Sequence, residues 1–196
     1  NIEYDYNSFI NIKTWDIIFK KGYTLRKAFG MITGFCRRFI SLFKLYQYSF
    51  VYIHREAAPI GPPVFEFIIS KILRKKIIYD FDDAIWVRIA SIANPVASSI
   101  KCSWKVKHIC KWSYTTTVGN DYLADYAIQY CKNVVIIPTV VDTIKTHNQI
   151  KNQLEVPLTI GWTGTFTNFY NLELVVEAIK KLQIKYNVKL IIISNK

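Results

Sequence analysis

The sequence predicts an α/β fold built on a doubly wound parallel sheet. Three observations carry that prediction. Several short runs rich in Val, Ile and Tyr are apolar on both faces, as parallel strands covered by helices must be. Helical patterns lie between most of these runs. The composition suits a packed core, since 51% of the 196 residues are hydrophobic, 15% aromatic and only 20% charged. A disordered chain has fewer aromatics and more charge.

The first element is a helical pattern over 20–48. Leu25, Phe29, Ile32, Cys36, Phe39, Phe43 and Tyr46 step by four and three residues, and Arg26, Lys27, Arg37, Arg38 and Lys44 cluster on the other side. Helical throughout, it would be about 43 Å long. Gly30 and Gly34 mark a weak point in it. Two roles fit: a packed helix with a solvated basic face, or a helix docked on anionic lipid.

Strands are expected at 50–54, 76–80, 114–119 and 134–138, with helices over 64–73, 95–112 and 121–131. A polar stretch follows, 143–156, that reads as a linker. A new unit then begins, with a strand at 158–162, a helix over 168–186 and a strand at 188–194. In that last helix Leu172, Val175, Val176, Ile179 and Leu182 form the apolar stripe. Thr167 or Asn168 can cap its start, and Glu177 can support it by pairing with Lys181. Either all six strands form one sheet, or residue 158 opens a second domain. The linker and the restarted unit divide the chain into 1–142, a linker 143–157, and 158–196. About 40 residues cannot build a core that stands alone, so this division implies a piece of a longer protein.

Lys and Arg total 26 against 14 Asp and Glu, a net charge of +12. Such an excess speaks of an anionic partner. Residues 1–50 carry 8 basic and 3 acidic residues, a larger excess than in 51–100, 101–150 or 151–196. No block of like charges forms a nucleic-acid-binding tail. No apolar run reaches the ~18–20 residues of a membrane span. The four cysteines, Cys36, Cys102, Cys110 and Cys131, form no Cys-x-x-Cys pair. They read as reduced thiols of a cytoplasmic protein rather than metal ligands.

In open α/β sheets, ligands bind beyond the carboxyl ends of the strands. Four polar clusters fall at such ends. His54-Arg55-Glu56 closes the first strand, and Asp80-Phe81-Asp82-Asp83 the second. Gly119-Asn120-Asp121 closes the third. Gly161-Trp162-Thr163-Gly164-Thr165 closes the fifth and opens a helix. Glycine at 164 lets backbone approach a phosphate, and a helix start offers free N–H groups and partial positive charge. Asp80 and Asp82 could hold a divalent metal. Alternatively, these carboxylates cap a turn or pair with Arg55 or Arg88. Asp82 or Asp83 could also accept a hydrogen bond from a sugar hydroxyl or serve as a base. Arg55 and Glu56 could pair with each other or contact an acceptor.

Five segments occur in a telling order: HREAAPIGPPVFE, IIYDFDDAIW, VGNDYLADYA, VIIPTVVD and TIGWTGTFTNFYNLE. Together they resemble bacterial glycosyltransferase family 4, group 1, over roughly residues 46–190. The resemblance implies the GT-B fold, two Rossmann-like domains of which the second is truncated here. It further implies a retaining, metal-independent hexosyltransferase-like enzyme of surface-polysaccharide biosynthesis. No cofactor is implied, and a nucleotide-diphosphate sugar is the co-substrate. By position, Gly161, Gly164 and Thr165 face the donor diphosphate. Asp82, Asp83 and Glu56 are the catalytic candidates of the acceptor domain, and His54, Arg55 and Asn120 its substrate-binding candidates. The acceptor would be a glycan or lipid-linked sugar at the inner face of the cell membrane, which the 20–48 helix would contact. The family's opening strand is expected before residue 1, and the rest of its donor domain after residue 196.

Two other classes compete. One is a metal-dependent GT-A transferase using Asp80 and Asp82. The other is a basic membrane-surface or nucleic-acid-binding α/β module without catalysis. For nucleic acid the chain offers its charge and 13 tyrosines, but no basic stripe interleaved with aromatics.

Overall fold

A computed structural model describes residues 3–18, 20–87, 101–150, 157–165 and 168–194. The chain forms two compact units, Asn1–Val140 and Val141–Lys196. Its strands fall into two separate sheets, so the reading of one six-stranded sheet does not hold.

In the first unit two helices, α1 (Ile12–Ile18) and α2 (Thr24–Leu42), and a short 3-10 turn (Leu45–Gln47) precede the sheet. Strand β1 (Phe50–His54) leads to α3 (Val64–Phe67), which continues as a π-helical turn (Ile68–Ile72). Then come β2 (Lys76–Phe81), α4 (Lys105–Trp112), β3 (Thr115–Val118), α5 (Asp121–Ala127) and β4 (Val134–Ile136). The first part of the helix expected over 95–112 lies outside the described residues, as does Arg88.

The sheet is parallel in the order β1-β2-β3-β4. Each crossover steps to the next strand, so the sheet advances in one direction. The reversal of order that defines a doubly wound sheet is not found among the described strands. Right-handed crossovers that all step the same way put their helices on one face. Burial agrees. Ile53, Ile77, Tyr79, Phe81 and Val118 are buried on that face, under Ile69, Val106, Ile109, Leu123 and Ala127 of the helices. Each fully covered side chain of this size contributes roughly 1.5–3 kcal/mol. Phe50, Tyr52 and Val135, on the opposite face, remain exposed.

Helix α2 is shorter than the pattern promised, about 28 Å, and it is not broken at its glycines. Both glycines are buried. A Cβ at Gly30 would sit 2.4 Å from Thr14 Cγ2, and one at Gly34 would sit 2.7 Å from Phe9 Cε1. The glycines are therefore where the N-terminal segment and α1 press against α2. Helix α1 was not predicted. It starts where the Asn11 side chain accepts a hydrogen bond from the Thr14 N–H at 2.8 Å.

Because the glycine face points inward, the apolar stripe of α2 points outward. The expectation of a packed stripe with a solvated basic face is thus reversed. Leu25, Phe29, Ile32, Phe39 and Phe43 are exposed. Arg37 instead donates to Ser8 O at 3.2 Å, and Arg38 to Ala57 O at 3.0 Å. Burial outweighs the pull of Glu66 and lowers the pKa of Arg38.

The second unit pairs β5 (Leu158–Gly164) with β6 (Val188–Ser194) in parallel, joined by α6 (Phe169–Lys185). Leu172 and Ile179 of the α6 stripe are buried. The supporting ion pair is Glu177 with Lys180 at 2.7 Å, one residue nearer than Lys181. Asn168 makes no side-chain cap, and Thr167 lies outside the described residues.

Candidate functional site

Register places three polar side chains in one row on the exposed face of the first sheet. His54 stands beside Asp80, and Asp80 beside Thr117. The Asp80 carboxylate is 2.7 Å from His54 Nδ1 through one oxygen, and accepts from Thr117 Oγ1 at 2.5 Å through the other. Tyr52 lies two residues back on the same face of β1, close to Asp80. Burial first, and the neighbouring Asp80 second, push the Tyr52 phenol up to about 12. An ionised carboxylate can only accept, so it fixes Nδ1 as the donor and leaves His54 Nε2 a free lone pair.

Arg55 follows with φ 61, a left-handed conformation uncommon outside glycine. The kink is held on both sides. Arg55 N donates to Asp80 O at 2.7 Å, and Tyr79 Oη donates to Arg55 O at 2.8 Å. So aimed, the guanidinium meets Asp82 Oδ1 through Nε at 3.0 Å and Nη2 at 2.8 Å, and also bonds Asp83. Burial alone would raise Asp82, but the Arg55 guanidinium outweighs it and holds the carboxyl below its usual range. The loop carrying both aspartates is pinned by Trp86, whose ring stacks on Tyr126 at 3.8 Å.

Glu56 does not pair with Arg55. Its carboxylate lies 2.7 Å from the buried Lys105 Nζ, which also donates to Ala58 O at 2.9 Å. Beneath the same loop the buried Glu66 accepts from Ala57 N at 2.8 Å. Burial pushes Glu66 up, against the pull of that backbone N–H and of Lys105. Glu56 is therefore part of the loop's anchorage. Asn120 also carries a local duty: its side chain accepts from Leu123 N at 3.0 Å and caps α5. Gly119 borders the Asp82 backbone.

Of the predicted residues of the first unit, the fold therefore brings His54, Arg55, Asp82 and Asp83 together at one sheet edge. Around Arg55 stand the two carboxylates of Asp82 and Asp83 against one guanidinium. Such a balance repels a phosphate and suits a ligand rich in hydroxyls. Asp80 and Asp82 are spoken for by different partners, and among the described residues no three His, Cys, Asp or Glu converge as a metal site needs.

In the second unit Gly161 lies inside β5, paired with Ile191, rather than in the turn. Gly164 ends β5, and a Cβ there would meet the Trp162 ring at 2.6 Å. Thr165 follows, and the Asn168 N–H donates to its carbonyl at 2.9 Å ahead of α6.

Sequence reasoning missed Thr117, Tyr52, Lys105, Glu66 and Trp86. Thr117 and Tyr52 share strand parity with Asp80 and His54, a signal that needs only the register to be read. Lys105 gives no such signal, because a lysine in an amphipathic helix is ordinarily solvated.

No family model matches the chain, and neither does any curated protein or solved structure. The fold defines the chain as a mixed α/β protein with a four-stranded parallel sheet.

Proposed function

We propose that the chain belongs to a glycosyltransferase. It would move a sugar from a nucleotide-diphosphate donor to a glycan or lipid-linked hydroxyl, with retention and without a metal. The observation that carries this reading is the ordered edge of the first sheet, where His54, Asp82 and Asp83 present hydrogen-bonding groups around Arg55. The order of the five motifs supports it. In this reading the sheet edge holds the acceptor. Asp82 and Asp83 orient its hydroxyl, with Arg55 holding them in place and His54 Nε2 accepting a further hydroxyl. The leaving diphosphate is stabilised electrostatically by backbone N–H groups near Gly164 and Thr165 and by the start of α6. Gly161, set back in the strand, serves that loop only through the strand's course.

The test is calorimetry of the full chain with a panel of nucleotide-diphosphate sugars, followed by transfer of labelled sugar to polyprenyl-linked acceptors. Donor binding, with transfer that survives a chelator, is the expected result. No donor binding to the folded full-length protein that contains these residues would overturn the reading. Transfer abolished by the chelator and restored by Mn²⁺ would move the chemistry to a metal-dependent transferase.

A further inference from the structure

We propose that α2 is a membrane-docking element that inserts its apolar stripe into an anionic lipid surface. The inference does not depend on the catalytic reading above. Leu25, Phe29, Ile32, Phe39, Phe43 and Tyr46 lie along one face, and each is at least half exposed. A soluble monomer rarely shows so long an apolar patch without a use for it. The opposite face is already taken by Thr14 and Phe9, seated on Gly30 and Gly34. The helix therefore cannot rotate to hide the stripe without losing that contact.

The charge around the stripe identifies the occupant. Lys13, Lys20, Lys21, Arg26 and Lys44 are exposed on the same N-terminal segment, against Glu3, Asp5 and Asp16. Asp5 is engaged by the Tyr48 hydroxyl. Exposed cations on the segment that carries an exposed apolar stripe match phospholipid headgroups above acyl chains. Trp15 and Tyr23 are exposed nearby, side chains suited to the headgroup level. At its C-terminal end the stripe runs into an apolar hollow of about 450 Å³ where Phe39, Phe43 and Tyr46 face Ile68 and Ile72. No helix among the described residues is long and apolar enough to cross a membrane, so α2 would lie in the interface plane.

The structure also separates two kinds of basic residue. Arg37 and Arg38 are held by backbone carbonyls of the protein. They therefore do not drive docking, although they are adjacent basic residues of α2. The stripe and the exposed lysines drive it.

The experiment is flotation of the full chain with phosphatidylcholine vesicles, with and without phosphatidylglycerol. Cys36, exposed within the stripe, carries an environment-sensitive dye in a Cys102→Ser background. Flotation with the anionic vesicles and a blue shift of the dye are expected. L25S/F29S/F43S should lower partitioning by about tenfold or more. Removing Lys20 and Lys21 together should lower it by roughly tenfold at low salt, and by less at high salt. These positions are exposed, so unchanged circular dichroism shows that the variants fold. Equal partitioning of the triple variant overturns the proposal. So does failure to float with either vesicle. A concentration-dependent dimer that the triple variant abolishes also overturns it, and assigns the stripe to a second copy of the chain.

Discussion

His54, the last residue of β1, stands in register beside Asp80, the penultimate residue of β2, and their side chains meet at 2.7 Å. The contact turns a strand-end histidine into an oriented one. Thr117 holds the other carboxylate oxygen. The neutral imidazole should therefore be locked with its proton on Nδ1. Nitrogen NMR of labelled histidine should show a type-δ1 tautomer for His54 and an ordinary tautomer mixture for it in Asp80→Asn. A mixture in the unaltered chain would contradict the arrangement.

Arg55 should control the titration of Asp82. The depressed pKa is a folded-state property, so the pair's contribution is present above the ordinary carboxylate range and lost as the pH falls through the folded value. Arg55→Met should let the Asp82 carboxyl rise, read by carbon NMR titration. The stability change should stay within about 1 kcal/mol, because both side chains are well exposed. A large loss of stability would mean that the left-handed kink at Arg55, rather than the ion pair, holds the loop.

The sequence and the structure agree best where a pattern is local. Val, Ile and Tyr runs mark β1 and β6 to the residue, although Phe50, Tyr52 and Ile191 to Ile193 stay exposed, so the runs report strand preference rather than burial on both faces. The reversal of α2 was hidden for a physical reason. A stripe such as Leu25 to Tyr46 says that a face is apolar, not which way the face points. That direction was set by Gly30 and Gly34, whose missing side chains admit Thr14 and Phe9. At the site the candidates themselves were legible, since each ends a strand. Their partners were not. Whether Glu56 meets Arg55 or Lys105 depends on a kink at one residue and on where α4 packs. Neither is written in local spacing.

Lys105 and Glu66 should matter more to stability than any other polar residues of the first unit. Lys105→Met leaves the Glu56 and Glu66 carboxylates without their cation and should cost about 3–5 kcal/mol in urea unfolding. Glu66→Gln should cost less, since an amide oxygen can still accept from Ala57 N. It should also remove a pH dependence. The folded pKa of Glu66 is raised by burial, so the folded state holds its proton where the unfolded chain has lost it. Stability then falls as pH rises from the ordinary glutamate value through the folded value. In Glu66→Gln that part of the slope should vanish.

The two glycines of α2 should respond to alanine in different degrees. In an open helix either change would gain about 1 kcal/mol of helix propensity. At Gly34 the new methyl would lie 2.8 Å from the Phe9 backbone oxygen as well as against its ring. Backbone yields poorly, so Gly34→Ala should be destabilising by about 1–3 kcal/mol. At Gly30 the three nearest atoms all belong to the Thr14 side chain. Gly30→Ala should therefore be rescued in large part by Thr14→Gly, which opens the space at the expense of a weaker α1. A double-mutant cycle in urea should show that coupling between positions 14 and 30, and little coupling between 14 and 34. If both alanines instead stabilise the chain, the N-terminal segment does not pack on this face, and the outward direction of the apolar stripe loses its cause.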